Sequence, residues 1–174
     1  MPKADGSEGS IFLGDVQVSK FAFRNPLKLT VADTTGRTWT VEEGYIDADE
    51  RNYGLFDGDE LIARLKIISS AIADPDCPTP FWSIGRIEVI DLYQGRGIAS
   101  GLEEAGVTAL GSPLASDLDQ TLGGAGVWRR LIREAPGAIE LHDANGLIGA
   151  VEYKHGSFVP DPWQFRETRL VRRP

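Results

Sequence analysis

Gly95 and Gly97 stand between a β-rich run containing Ile87, Val89 and Ile90 and a run of Ile98, Leu102 and Ala105 at helical spacing. A strand that ends in such a turn and passes straight into a helix can build an anion site. Glycine lacks the Cβ that blocks close approach to backbone amides. The first N–H groups of the following helix have no intrahelical acceptor and lie at the positive end of its dipole. Successive amides near Gly95, Gly97 and Ala99 would therefore hold a group such as a pyrophosphate. Two commoner phosphate loops are not met. The dinucleotide fingerprint needs Gly-x-Gly-x-x-Gly with a later acidic residue in a repeating βαβ pattern, and the P-loop needs Gly-Lys-Ser/Thr. Arg96 is the cationic side chain in the turn, suited either to a phosphate or to solvent.

Other residues with reactive side chains are fewer. Ser116 and Asp117 close a short apolar stretch at the edge where open α/β sheets place ligands, and either could instead cap the helix that follows. His142, His155 and Cys77 are too scattered to form a ligand set, so no metal site is expected. Trp39, Trp82 and Trp163 lack interleaved basic residues and read as core or hairpin cover rather than a base-stacking platform.

To place the glycine turn, the chain needs a sheet ahead of it. Residues 27–31, 37–46 and 61–68 alternate or are β-branched, with one turn at Thr34, Thr35 and Gly36. Asp57-Gly58 is a hairpin signal between 53–56 and the next strand. Helical periodicity is missing throughout that stretch. Beyond the turn, residues 112–116 predict a short strand parallel to the one at 87–90. Trp128, Leu131, Ile132 and Ala135 then predict an amphipathic helix stopped by Pro136-Gly137. Residues 138–142 and 147–153 predict a hairpin across Asn145-Gly146, and 164–171 a last strand. The proline-broken segment 71–79 reads as a connector. A chain of 174 residues can bury about 70% of its unfolded surface, so residues 21–174 predict a single α/β domain after a poorly ordered segment 1–20.

Gln94-Gly95-Arg96-Gly97-Ile98-Ala99 resembles the Arg/Gln-x-x-Gly-x-Gly/Ala signature of the GNAT superfamily of acyl-CoA-dependent N-acetyltransferases. Val89 stands where that family's fourth strand places an aliphatic residue. The specific motif covers 87–102, and the order of elements matches over 28–154. The resemblance implies a single-domain GNAT-like mixed β-sheet with flanking helices, acetyl-CoA as co-substrate, and direct attack of an amine on the thioester. It implies that Val89, Ile90 and Asp91 meet the pantetheine arm, with a Val89 or Ile90 amide polarising the carbonyl. Gln94, Gly95, Arg96, Gly97, Ile98, Ala99 and Ser100 would then hold the pyrophosphate. Glu88 falls where family members carry a carboxylate that takes a proton through water, with Ser116 and Asp117 as further catalytic candidates.

The chain departs from the family pattern in two places. The two helices that usually follow the first strand are missing, which gives a reduced N-terminal helical region and favours a large acceptor: a peptide, a protein amine or a bulky natural product. Trp128 also aligns with the tyrosine that usually protonates the departing thiolate. That leaves solvent, Tyr93 or Ser116 as the proton source, and leaves open a non-catalytic module that binds acyl-CoA or a protein partner. The cationic helix face of Arg129, Arg130 and Arg133 is ordinarily a solvated one, and in such a protein it could also receive the 3′-phosphate of coenzyme A.

Charge and composition narrow the partners. A net charge of −8 opposes binding to a nucleic-acid backbone. The single cysteine, Cys77, cannot close an internal disulfide and suits a reducing cytoplasm. No apolar run reaches the roughly 18 residues of a membrane span. The first ten residues are polar rather than signal-like. A cytoplasmic protein away from membranes is the expectation.

Overall fold

The computed structural model describes residues 19–22, 24–70, 81–116, 122–164 and 168–172. The chain forms two compact units, one from Met1–Ile67 and Arg86–Gly106, the other from Ile68–Gly85 and Val107–Pro174.

The first unit opens with a 3-10 turn at Ser19–Phe21 and continues as a meander of β1 (Asn25–Ala32), β2 (Thr38–Ile46), β3 (Glu50–Asp57) and β4 (Glu60–Ser69), whose last residues pass into the second unit. The antiparallel ladders run through Val31↔Trp39 and Glu43↔Tyr53. The predicted turns are in place, with Gly36 at φ +86° and Gly58 at φ +63°. No helix separates β1 from β2, as the missing helical periodicity predicts. Tyr53, Leu55, Leu61, Ile62, Leu65 and Ile67 are buried, which is why β3 and β4 read as near-continuous apolar runs. The end of β5 (Trp82–Val89) is held to β4 where the Ile90 N–H donates to Ile62 O at 3.0 Å. A 3-10 turn at Asp91–Tyr93 leads into α1 (Ile98–Leu110), whose Ile98, Leu102 and Ala105 are buried as predicted. Helix and sheet approach very closely. A Cβ on Gly101 would lie 2.7 Å from Val31 Cγ1, and one on Gly106 would lie 2.6 Å from Leu65 Cδ2.

The second unit takes the start of β5, then β6 (Leu114–Ala115), α2 (Leu122–Glu134), β7 (Ile139–Asp143), β8 (Gly146–Ala150), β9 (Glu152–Lys154), β10 (Ser157–Val159) and β11 (Arg169–Arg172). Its strands are ordered β5-β6-β11-β7-β8, with β9 and β10 as a separate hairpin. Only β5 and β6 are parallel among its described pairings, which makes the sheet mixed. The predicted helix is present, with Ala125, Trp128, Leu131 and Ile132 buried.

Three strand expectations need correction. Residues 112–116 yield only β6, paired at Trp82↔Leu114 and Ser83↔Ala115 rather than against 87–90. The parallel ladder ends there, and Ser116 bonds to β11 instead: its N–H donates to Leu170 O at 2.8 Å, and its Oγ accepts the Leu170 N–H at 3.0 Å. The run 147–153 is not one strand. It breaks at buried Val151, whose N–H donates to Ile139 O, and the chain reverses at His155 and Gly156, φ +51° and +83°, to pair β9 with β10. Of the last strand expected over 164–171, residues 165–167 lie outside the described residues, Gln164 and Thr168 are not strand, and β11 is inserted between β6 and β7. Among the described residues no helix is long and apolar enough to cross a membrane.

Candidate active site

The glycine turn of the first unit lies between two rigid elements, the end of β5 and the start of α1. Gly95 and Gly97 are both left-handed, at φ +71° and +80°, a conformation that a Cβ strains. A Cβ on Gly95 would meet no atom within 4 Å, so the demand there is conformational. Among the described residues, the amides of Gly95, Arg96 and Gly97 donate to no backbone acceptor. Gly101 N–H bonds back to Gly97 O at 3.1 Å, and the amides that open α1 ahead of it lack intrahelical acceptors by helix geometry. A row of donors curling around left-handed glycines at the positive end of a helix forms an anion cradle.

Side chains around the cradle brace it. Gln94 Nε2 donates to Val89 O and to Asp91 Oδ1, both at 2.9 Å, so this amide ties the loop to the strand end. Tyr93 is buried with its ring edge-on to Trp39, centroids 5.8 Å apart. The Tyr93 hydroxyl donates to Asp57, and that bond, with burial, holds the phenol above its ordinary pKa. The hydroxyl proton of Tyr93 is therefore engaged by Asp57. The Ile90 expectation is corrected. Its amide is committed to Ile62 O, and because extended backbone alternates in direction, the neighbouring Val89 N–H faces the edge away from β4.

Arg96 Nη1 stands 3.8 Å from Asp33 Oδ2, with the side chain 36% exposed. Its guanidinium lies 5.3 Å from the Tyr93 ring centroid. Asp33 itself is buried in the β1–β2 turn. Its Oδ1 accepts from Thr35 Oγ1 at 2.6 Å, Thr35 N–H at 2.8 Å and Arg37 N–H at 3.0 Å. These bonds, led by the Thr35 hydroxyl, hold its carboxyl below the usual range.

Glu88, on β5, has a side chain only 11% exposed, and Arg86 Nε approaches its Oε1 at 2.6 Å. Both carboxylate oxygens are shielded from solvent, and neither makes an aligned hydrogen bond. Burial pushes its pKa up, and the charges of Arg86 and Arg64 oppose the rise. Arg64 is buried on β4 and donates to Asn52 Oδ1 through Nε at 3.2 Å and Nη2 at 2.8 Å. Asn52 in turn donates to Glu50, which pairs with Lys20 and Lys66 at 3.2 Å each. Sequence reasoning passed over this polar chain. Its signal is the pair of cations, Arg64 and Lys66, interrupting the apolar run from Leu61 to Ile67.

In the second unit, Ser116 is fully buried and joins β6 to β11. Its carbonyl accepts from Arg169 Nη1 at 3.1 Å, and the same atom lies 3.5 Å from Ser83 Oγ. Asp117 lies outside the described residues. Trp128 is core at 2% exposure. The arginine face of α2 is already engaged: Arg129 lies 4.4 Å from the Trp163 ring centroid, Arg133 4.7 Å from that of Tyr153, and Arg130 Nε is 2.6 Å from Glu134 Oε1.

No protein-family model and no curated protein matches the chain. Two solved structures align with it. One is the Bacillus subtilis N-acetyltransferase YlbP in complex with coenzyme A, at 19% identity and TM-score 0.41, over 71% of this chain and 67% of that one. The other, from Corynebacterium glutamicum, is described as histone acetyltransferase HPA2 and related acetyltransferase. It aligns at 12% identity and TM-score 0.42, over 73% of this chain and 66% of that one. The chain thus spans about two thirds of their length.

Proposed function

We propose that the chain is an acyl-CoA-dependent N-acyltransferase that passes an acetyl group from acetyl-CoA to an amine of its acceptor. The observation that carries this reading is the cradle. Gln94-Gly95-Arg96-Gly97-Ile98-Ala99 folds as two left-handed glycines at the mouth of a 13-residue helix, and among the described residues the amides of Gly95, Arg96 and Gly97 donate to no backbone acceptor. Gly95, Arg96 and Gly97, with Ile98, Ala99 and Ser100 of the first helical turn, would hold the diphosphate, and the Arg96 side chain would add charge. Gln94 and Asp91 keep the loop in shape, and the Val89 N–H is the strand-edge donor suited to an acyl carbonyl. Bound acetyl-CoA supplies an activated thioester.

Glu88 is the proton acceptor in this reading. A desolvated carboxylate with a raised pKa is a better base than an exposed one, and it takes the amine's proton through water. It works only when ionised, so the rate should climb as pH rises through that raised pKa. The sign for stability is opposite: the native state holds this proton more tightly than the unfolded chain, so stability falls as pH rises from the ordinary glutamate value through the raised folded pKa. No described side chain is assigned the acid role, since Trp128 has no acidic proton and Tyr93 is tied to Asp57. Water serves there. The direct passage of β1 into β2, with no helices between, supports an acceptor larger than a free amine.

Thiol release from acetyl-CoA with a panel of amines tests the reading. Peptide or protein amines should exceed spermidine in kcat/KM. Glu88→Gln should lower kcat by roughly 10²–10⁴-fold while leaving coenzyme A affinity intact. Background release with every amine would reject catalysis and leave a binding module.

A further inference from the structure

The turn between β1 and β2 does more than join two strands. Asp33 O accepts the Gly36 N–H at 3.0 Å, making a β-turn with Asp33 first, Thr34 second and Gly36 fourth. The second residue's N–H is not needed by such a turn. In this protein it donates to Arg96 O at 3.0 Å. That carbonyl belongs to the peptide joining Arg96 to Gly97, between the two left-handed glycines. A trans peptide points its C=O and N–H in opposite directions. Holding the Arg96 carbonyl against the turn therefore aims the Gly97 N–H away from it, on the cradle side. The Asp33 carboxylate reinforces the same contact, because three hydrogen bonds to Oδ1 shape the turn and buried Oδ2 faces Arg96 Nη1 at 3.8 Å.

We propose that Thr34, through its backbone N–H, and Asp33, through the turn it shapes, are positioning residues that orient the Arg96–Gly97 peptide plane for phosphate binding. This rests on the acyl-CoA reading for the identity of the ligand, but not for the orientation of the plane. In this chain the short turn that replaces the expected helices is itself the brace of the cradle.

Thr34→Pro isolates the effect. Proline is favoured at the second position of this turn, and Asp33 follows a strand, where a residue preceding proline is comfortable. The substitution therefore keeps the turn and deletes one N–H donor. Calorimetric titration of the full chain with coenzyme A should show Thr34→Pro weakened about three- to tenfold, the net worth of one hydrogen bond, in protein shown by circular dichroism to be folded. Thr34→Ala, which keeps the N–H, should bind as the parent does. Backbone 15N relaxation measured without coenzyme A should show a lower Gly97 N–H order parameter in Thr34→Pro only, because the peptide plane loses its brace. Should Thr34→Pro fail to fold, Asp33→Asn and Asp33→Ala are compared in the same two assays: Asn keeps the Oδ1 acceptor and loses only the charge facing Arg96, so it should lose less than Ala, and equal behaviour of the two would overturn the inference. Equal coenzyme A affinity and an unchanged Gly97 order parameter in a folded Thr34→Pro protein would also overturn it. If the parent itself does not bind coenzyme A, the acyl-CoA reading fails. The order parameter then decides the inference alone, a lower value upholding it and an unchanged value overturning it.

Discussion

The two helices among the described residues have the same length, 13 residues each, and both carry internal glycines, yet Gly126 of α2 stands in a different setting from the glycines of α1. In α1 a side chain at Gly101 or Gly106 would collide with Val31 or Leu65, so those glycines let the helix lie against its sheet. Two more glycines, left-handed, turn the chain into it. In α2 a Cβ on Gly126 would meet nothing within 4 Å. That helix is anchored instead by Trp128 in the core and by arginines laid over the aromatic rings of the β9–β10 hairpin and Trp163. Glycine is sterically required in α1 at Gly101 and Gly106, and in α2 it is not required at Gly126.

That contrast can be broken by substitution. Trp128→Ala should have the largest effect, about 3–5 kcal/mol of lost stability by urea denaturation, because a fully packed aromatic leaves a cavity. Coenzyme A affinity of the folded fraction should not change, and a parallel loss of affinity would mean that α2 serves the ligand too. Gly101→Ala comes next. The stiff Val31 side chain at 2.7 Å has little room to give, so about 1–3 kcal/mol of overpacking cost is expected. Coenzyme A binding should weaken with it, since the start of α1 must move. Gly126→Ala is the smallest change and has the opposite sign. It should stabilise by about 0.5–1 kcal/mol, the helix-propensity gain of alanine at an open position. A destabilised Gly126→Ala would show that Gly126 is required after all.

Much of this was legible in the sequence where the signal is local. The turns at Gly36 and Gly58, the buried stripe of Ile98, Leu102 and Ala105, and the glycine turn itself follow from residues close together in the chain. What depends on distant partners was not. Ser116 read as a cap or catalytic residue because its partner Leu170 is 54 positions away. Ile90 read as a free amide because its acceptor, Ile62, lies on another strand. The cation–π use of the α2 arginines depends on a hairpin whose His155-Gly156 turn breaks what reads as one strand. The buried chain from Glu50 through Asn52 to Arg64 likewise joins strands whose register no single-strand pattern displays.

The central claim is that the turn around Gly95 and Gly97 is a coenzyme A diphosphate site, and calorimetric titration of the full chain with coenzyme A tests it most directly. The parent protein should bind. Gly97→Val, which forces a branched side chain on a residue at φ +80°, should lose at least about tenfold in affinity, or about 1.4 kcal/mol, in protein shown by circular dichroism to be folded. Absence of binding by the parent, or equal binding by folded Gly97→Val, would contradict it.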